Sequence, residues 1–158
     1  MNVPFNSVIP YISSGGNKFL ISFKDFIQQD FSLPVVDVSL VLVESTAGTG
    51  LTLKDLIPIS RIVKKFLNDH QVVLYYYCDT SDSDISTSQR NQKLQPQQYR
   101  HSLFNALFDL MKVSDFIKDE IVIKDPASTT HYITLITKES DKSCLTEVSI
   151  TVQQMNDK

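Results

Sequence analysis

Seven consecutive residues, Val72-Val73-Leu74-Tyr75-Tyr76-Tyr77-Cys78, are β-branched, aliphatic, aromatic or sulfur-bearing, and none is charged. Such a run is too short for a buried helix and suits a strand near the middle of a sheet. The chain changes character at its end. From Asp79 to Gln95 it reads Asp-Thr-Ser-Asp-Ser-Asp-Ile-Ser-Thr-Ser-Gln-Arg-Asn-Gln-Lys-Leu-Gln, with almost nothing to bury. A polar connection of this length inside one domain is uncommon and is usually functional or mobile.

The flanking segments supply the rest of a sheet. Val8 to Ser13 and Lys18 to Phe23 bracket Ser14-Gly15-Gly16-Asn17, whose glycines accept the positive φ of a hairpin turn. Val35 to Glu44 alternates with Val36, Val38, Leu40 and Leu42 on one face, while Asp37 and Ser39 give way to Val41 and Val43 on the other. A helix is predicted from about Leu56 to Asn68, because Ile59, Ile62, Val63, Phe66 and Leu67 form one stripe. Asp55 then serves as its N-cap and Pro58 falls in its first turn. With the strands on either side, this helix makes a parallel β-α-β crossover. A second helix follows from about Pro96 to Lys112, with Phe104, Leu107, Phe108 and Met111 inward. Strands are expected at Ile121–Lys124, Tyr132–Thr137 and Leu145–Val152, with a turn at Glu139 to Ser143. In the last strand Thr146, Val148, Ile150 and Val152 alternate with Glu147, Ser149 and Thr151.

This order implies an α+β fold: one domain over residues 1–158, two layers, a mostly antiparallel or mixed sheet, and two main helices on one face. The length of 158 residues suffices for one core. A formal charge of −3 makes nucleic acid an unlikely partner, because phosphate-backbone binding needs clustered Lys and Arg. No apolar run approaches the roughly 20 residues that cross a bilayer, and the opening Met1-Asn2-Val3-Pro4 does not read as a signal peptide, so no membrane partner and a cytoplasmic location are expected. Cys78 and Cys144 fit buried free thiols in a reducing compartment.

Chemistry concentrates where the tyrosine strand ends. Asp79, Asp82 and Asp84 leave the sheet there, and Arg90, Arg100 and His101 follow. At 100° per residue Arg100 shares the stripe of Phe104, Leu107 and Met111, so its guanidinium starts from the buried side of the second helix. A buried charge needs a partner, and Asp79 is the nearest in chain order. Two readings follow: a structural ion pair closing the loop, or a cleft in which Arg100 meets phosphate and the aspartates hold Mg²⁺ or Mn²⁺. The stretch lacks the glycine of a calcium loop from either Asp79 or Asp82. His70, His101 and His131 have no zinc spacing with the cysteines, so no metal site or cofactor is expected outside the second reading. Cys78 with His101 would make a nucleophile pair, but a strand-borne Cys after three tyrosines suits the core. The tyrosines themselves alternate sides and suit sheet packing better than base stacking.

On three segments the chain resembles a family of small uncharacterised bacterial proteins, a domain of unknown function. They are the hairpin around Ser14-Gly15-Gly16-Asn17, the helix Pro58-Ile59-Ser60-Arg61-Ile62-Val63-Lys64-Lys65-Phe66, and the strand Val73-Leu74-Tyr75-Tyr76-Tyr77-Cys78-Asp79 with Asp82. Members continue with an Arg a few residues before a Phe and then an aromatic, places that Arg100, Phe104 and Phe108 fill; their usual Trp is absent here. The resemblance implies a shared fold and a shared Asp/Arg feature, and brings no activity.

Two functions are consistent with these features. The leading one is a non-catalytic binding or regulatory module whose partner is another protein, with a homodimer compatible. The alternative is a metal-dependent phosphoesterase or nucleotide-binding enzyme, with Asp79, Asp82 and Asp84 on the metal, Arg100 stabilising charge and His101 as acid or base.

Overall fold

The computed structural model describes residues 6–25, 31–44, 53–78, 96–111 and 115–156. Strands β1 (Ser7–Ile12), β2 (Lys18–Asp25) and β3 (Val35–Glu44) lead into helix α1 (Leu53–Asp69). Strand β4 (Val73–Cys78), helix α2 (Pro96–Met111), strands β5 (Phe116–Lys124) and β6 (Thr130–Lys138), and helix α3 (Lys142–Asn156) complete the order. The strands form one sheet in the order β1-β2-β3-β4-β6-β5. Every pairing is antiparallel except β3 with β4. The α+β class, the mixed sheet and the parallel crossover through α1 all agree with the sequence.

The opening hairpin closes as its glycines require. Gly16 takes φ 87°, its N–H reaches Ser13 O at 2.9 Å, and the N–H of Asn17 bonds the Ser13 hydroxyl at 3.0 Å. Both Ser13 and Asn17 are buried, so these bonds also satisfy polar groups removed from water.

Strand β4 divides the core in two. Leu74, Tyr76 and Cys78 pack with Ile59, Val63, Phe66 and Leu67 of α1 and with Phe104 and Leu107 of α2. Phe66 stacks on Phe23 of β2 with centroids 4.0 Å apart, and Phe104 on Tyr76 at 4.1 Å. Both long helices therefore share one face, as the sequence implies. Val73 and Tyr75 point the other way, into a second cluster with Val35, Ile133 and Leu135.

That second cluster corrects one reading. Residues 145–152, expected as a strand, belong to helix α3. Leu145, Val148 and Val152 enter the second cluster, and the face opposite α1 and α2 gains a layer of its own. The β-branched residues fit a helix because Thr146 Oγ1 donates to Lys142 O (3.3 Å) and Thr151 Oγ1 to Glu147 O (3.1 Å). Glu147 anchors the helix by accepting both the N–H and the hydroxyl of Ser32 at 2.9 Å. Packing has decided between two periods that the same residues satisfy.

Helix α1 also departs in detail. It begins at Leu53, so Asp55 is inside its first turn instead of capping it, and Pro58 lies within the helix. Asp55 is 1% exposed and joins the helix to the hairpin: Oδ1 accepts the Tyr11 hydroxyl at 3.1 Å and the Ser14 N–H at 2.7 Å. This bond and burial raise the Tyr11 titration, with burial the larger cause.

Candidate functional site

Arg100 stands where its helical phase puts it. It is 8% exposed, in the first turn of α2, on the side of Phe104 and Leu107. Its charge reaches Cys78, whose thiol is pushed up to about 12 by burial while the guanidinium pulls it the other way. Asp79, Asp82, Asp84 and Arg90, and with them the loop 79–95, lie outside the described residues. The side chain of Met111 does too.

His101, the next residue, turns to the β5–β6 side of the helix. Its ring stacks on Tyr132 with centroids 4.4 Å apart. Lys118 Nζ donates to Asn105 Oδ1 at 2.7 Å, which turns the Asn105 amide nitrogen toward His101 Nε2 at 3.2 Å. Nε2 then accepts and the hydrogen sits on Nδ1, a buried atom without a hydrogen-bond partner among the described residues. Glu120 closes the group, 3.1 Å from Lys118 and 3.9 Å from His101. Lys118 also lies 5.1 Å above the Phe108 ring. Arg100 and His101 thus face different neighbours, Cys78 for one and Tyr132 for the other.

A second feature lies between the two parallel strands. Their pairing consists of Val35↔Val73, Val36↔Leu74 and Asp37↔Tyr75 and stops there, although β3 runs on to Glu44 and β4 to Cys78. On their outer sides both strands stay paired, β3 with β2 through Glu44 and β4 with β6 through Cys78. Beyond Asp37 the inner edge of β3 pairs with no strand among the described residues. The strands part toward their carboxyl ends, where crevices between parallel strands collect ligands in open sheets. A cavity of about 20 Å³ lies between this part of the sheet and the two helices, lined by Ile21 of β2, Val38, Ser39 and Leu40 of β3, Tyr76 of β4, and side chains of α1 and α2.

On the opposite face is a cleft that sequence reasoning missed. Its volume is about 390 Å³, and Tyr75, Tyr77, Ile123, Lys124, Asp125 and His131 line it. Tyr75 and Tyr76 are buried as sheet-packing residues, but Tyr77 is 37% exposed. Its hydroxyl lies 2.9 Å from His131 Nδ1, and His131 Nε2 lies 2.8 Å from Asp125 Oδ2. Asp125 sits in the β5–β6 turn, where Oδ1 accepts the N–H groups of Ala127 and Thr129, both at 2.9 Å. The hydrogen bond from His131, with that of Thr129 next, holds the Asp125 carboxyl below its ordinary range. The turn itself was readable, since Asp125-Pro126 is turn chemistry. That His131 would lie beside Tyr77 depends on the β4–β6 register, which pairs Tyr77 with Ile133.

Among the described residues no group of three or more His, Cys, Asp or Glu side chains is placed to hold a metal ion. No described helix is long and apolar enough to cross a membrane. No family model matches the chain, and no curated protein matches it.

Proposed function

We propose that this chain is a cytoplasmic binding module, and that its ligand is an extended, amide-bearing chain inserted between β3 and β4. One observation carries the reading: the parallel ladder ends at Asp37 and Tyr75 while both strands continue. An extended segment of another protein offers backbone N–H and C=O groups with strand spacing to the inner edge of β3 beyond Asp37.

The outer edges make poorer docking sites. Strand β1 carries Pro10 in its middle, which removes a donor, and β5 carries Lys118, Asp119, Glu120 and Lys124. Both devices discourage strand addition. The angle between β3 and β4 is apolar at its base, where the half-buried Leu40 lies over the buried side chains of Val38 and Tyr76. Affinity would come from the backbone ladder and selectivity from that apolar base.

A blocked octapeptide of alternating valine and threonine tests the reading. Binding should raise the melting temperature by mass action and slow hydrogen exchange at residues 38–44. Pantetheine, a short flexible chain with amides of its own, is the second arm, and protection by it alone would replace the protein partner with a small molecule. If neither slows exchange in the angle, or the peptide protects β1 or β5 instead, the reading fails.

A further inference from the structure

We propose that Tyr77 is a nucleophile, set by His131 and Asp125 for attack on a phosphoryl ester bound in the cleft they line. This inference concerns the face opposite α1 and α2 and is independent of the angle between β3 and β4.

The hydrogen-bond order defines the chemistry. An ionised carboxylate only accepts, so Asp125 Oδ2 at 2.8 Å fixes the hydrogen of neutral His131 on Nε2. Nδ1 is left with its lone pair, 2.9 Å from the Tyr77 hydroxyl, and takes that proton. Nucleophile, base and orienting acid then follow one another within hydrogen-bond reach. The turn N–H groups of Ala127 and Thr129 hold Asp125 in place, so the base is oriented by a fixed group. A chain of bonds that only tied the β5–β6 turn to β4 would not need open space in front of it. Here the hydroxyl-bearing residue is 37% exposed and borders a cleft of about 390 Å³.

Charge selects the substrate. Lys124 is the cationic side chain among the lining residues, and Asp125 balances it in the resting state. When the Tyr77 proton reaches His131, the net charge of the cleft is unchanged, but an imidazolium now stands beside the attacking oxygen and favours an anionic group in the transition state. Tyr75, Ile123 and Ile133 are apolar members of the lining and suit an aromatic leaving group. In the step, a bond forms between Tyr77 Oη and phosphorus and the bond from phosphorus to the leaving oxygen breaks. The phenol proton moves to His131 Nδ1 and then to the leaving oxygen. Water attacks the phosphotyrosyl group in a second step, with His131 as its base, releasing phosphate and restoring the phenol.

Two probes test this together. Benzenesulfonyl fluoride forms an oxygen–sulfur bond with an activated phenol as fluoride leaves, and peptide mapping locates the label. Tyr77 should be labelled first among the tyrosines, and His131→Gln should slow that labelling about 100-fold, the lower range for a positioned base. Asp125 is a positioning residue, so Asp125→Asn should displace the pH profile of labelling while the melting temperature keeps the fold in check. Para-nitrophenyl phosphate should slow the labelling and release nitrophenolate with the parent protein but not with Tyr77→Phe. Labelling of Tyr77 at the rate of other tyrosines, or unchanged by both His131→Gln and Asp125→Asn, overturns the nucleophile. Relay-dependent labelling that para-nitrophenyl phosphate neither slows nor accompanies with turnover overturns the phosphoryl substrate.

Discussion

Asp37 and Tyr75 form the last pair of the parallel ladder between β3 and β4, and each stands on the side of the sheet away from α1 and α2. Burial pushes Tyr75 up to about 12, and the neighbouring Asp37 charge adds to it. Burial likewise raises Asp37 to about 6, against the opposing pull of Lys24 on β2. The point where the strands part thus holds a carboxyl group that resists ionisation.

Stability should respond to this group in a definite direction. Its folded value of about 6 lies above the ordinary 3.8, so the native state binds the proton more tightly than the unfolded chain does. The contribution is present below about pH 4 and is lost as pH rises through about 6. Asp37→Asn should therefore be more stable than the parent by about 2 kcal/mol near pH 8, a figure reduced for partial exposure, and about equal to it near pH 4. Urea unfolding at both pH values checks this; a difference that does not change with pH contradicts it.

Arg100 is a buried cation, and its removal should be costly. Arg100→Ala should lower stability by about 3 kcal/mol, the scale for disrupting a buried charge and its partners. Denaturant unfolding measures it. A loss below about 1 kcal/mol, the range of an exposed ion pair, would be at odds with a guanidinium that is 8% exposed.

The two cysteines should differ in reactivity. Cys78 is fully buried with its thiol held near 12, whereas Cys144 in α3 is half-buried. Iodoacetamide at neutral pH should alkylate Cys144 in the native protein and reach Cys78 only on unfolding, because the thiolate is the nucleophile. Equal labelling by intact mass would contradict the burial of β4.

Helix α3 makes a prediction that a strand would reverse. Alternation puts Ile150 on the same side as Val148 and Val152, but the helix leaves Ile150 51% exposed and buries Leu145 at 5%. Leu145→Ala should cost about 3 kcal/mol and Ile150→Ala about 0.5 kcal/mol or less. Comparable losses at both positions would restore the strand.

That segment also marks what a sequence reader can recover. Val72 to Cys78, the Gly16 turn and the stripe Ile59–Val63–Phe66 each fit one element only, and each folds as its pattern says. Residues 145–152 fit two: Thr146, Val148, Ile150 and Val152 alternate, and Leu145, Val148 and Val152 recur at helical spacing. Only the demand of Val35, Val73, Tyr75 and Leu135 for cover on their face decides between them. The burial of Arg100 follows from helical phase alone, which is local. The Tyr77–His131–Asp125 relay and the end of the β3–β4 ladder depend on register between segments distant in the chain, which no local pattern encodes.

Amide hydrogen exchange along β3 in the free protein tests the parting of the strands most directly. Val36 and Asp37 are paired on both sides, and residues 38–44 pair, among the described residues, only with β2. Protection should therefore be continuous through Asp37 and then alternate, with every second amide from Val38 to Glu44 exchanging fast because it faces the open angle. Slow exchange at every amide out to Glu44 would mean that the inner edge is already closed, and the proposed binding site would not exist.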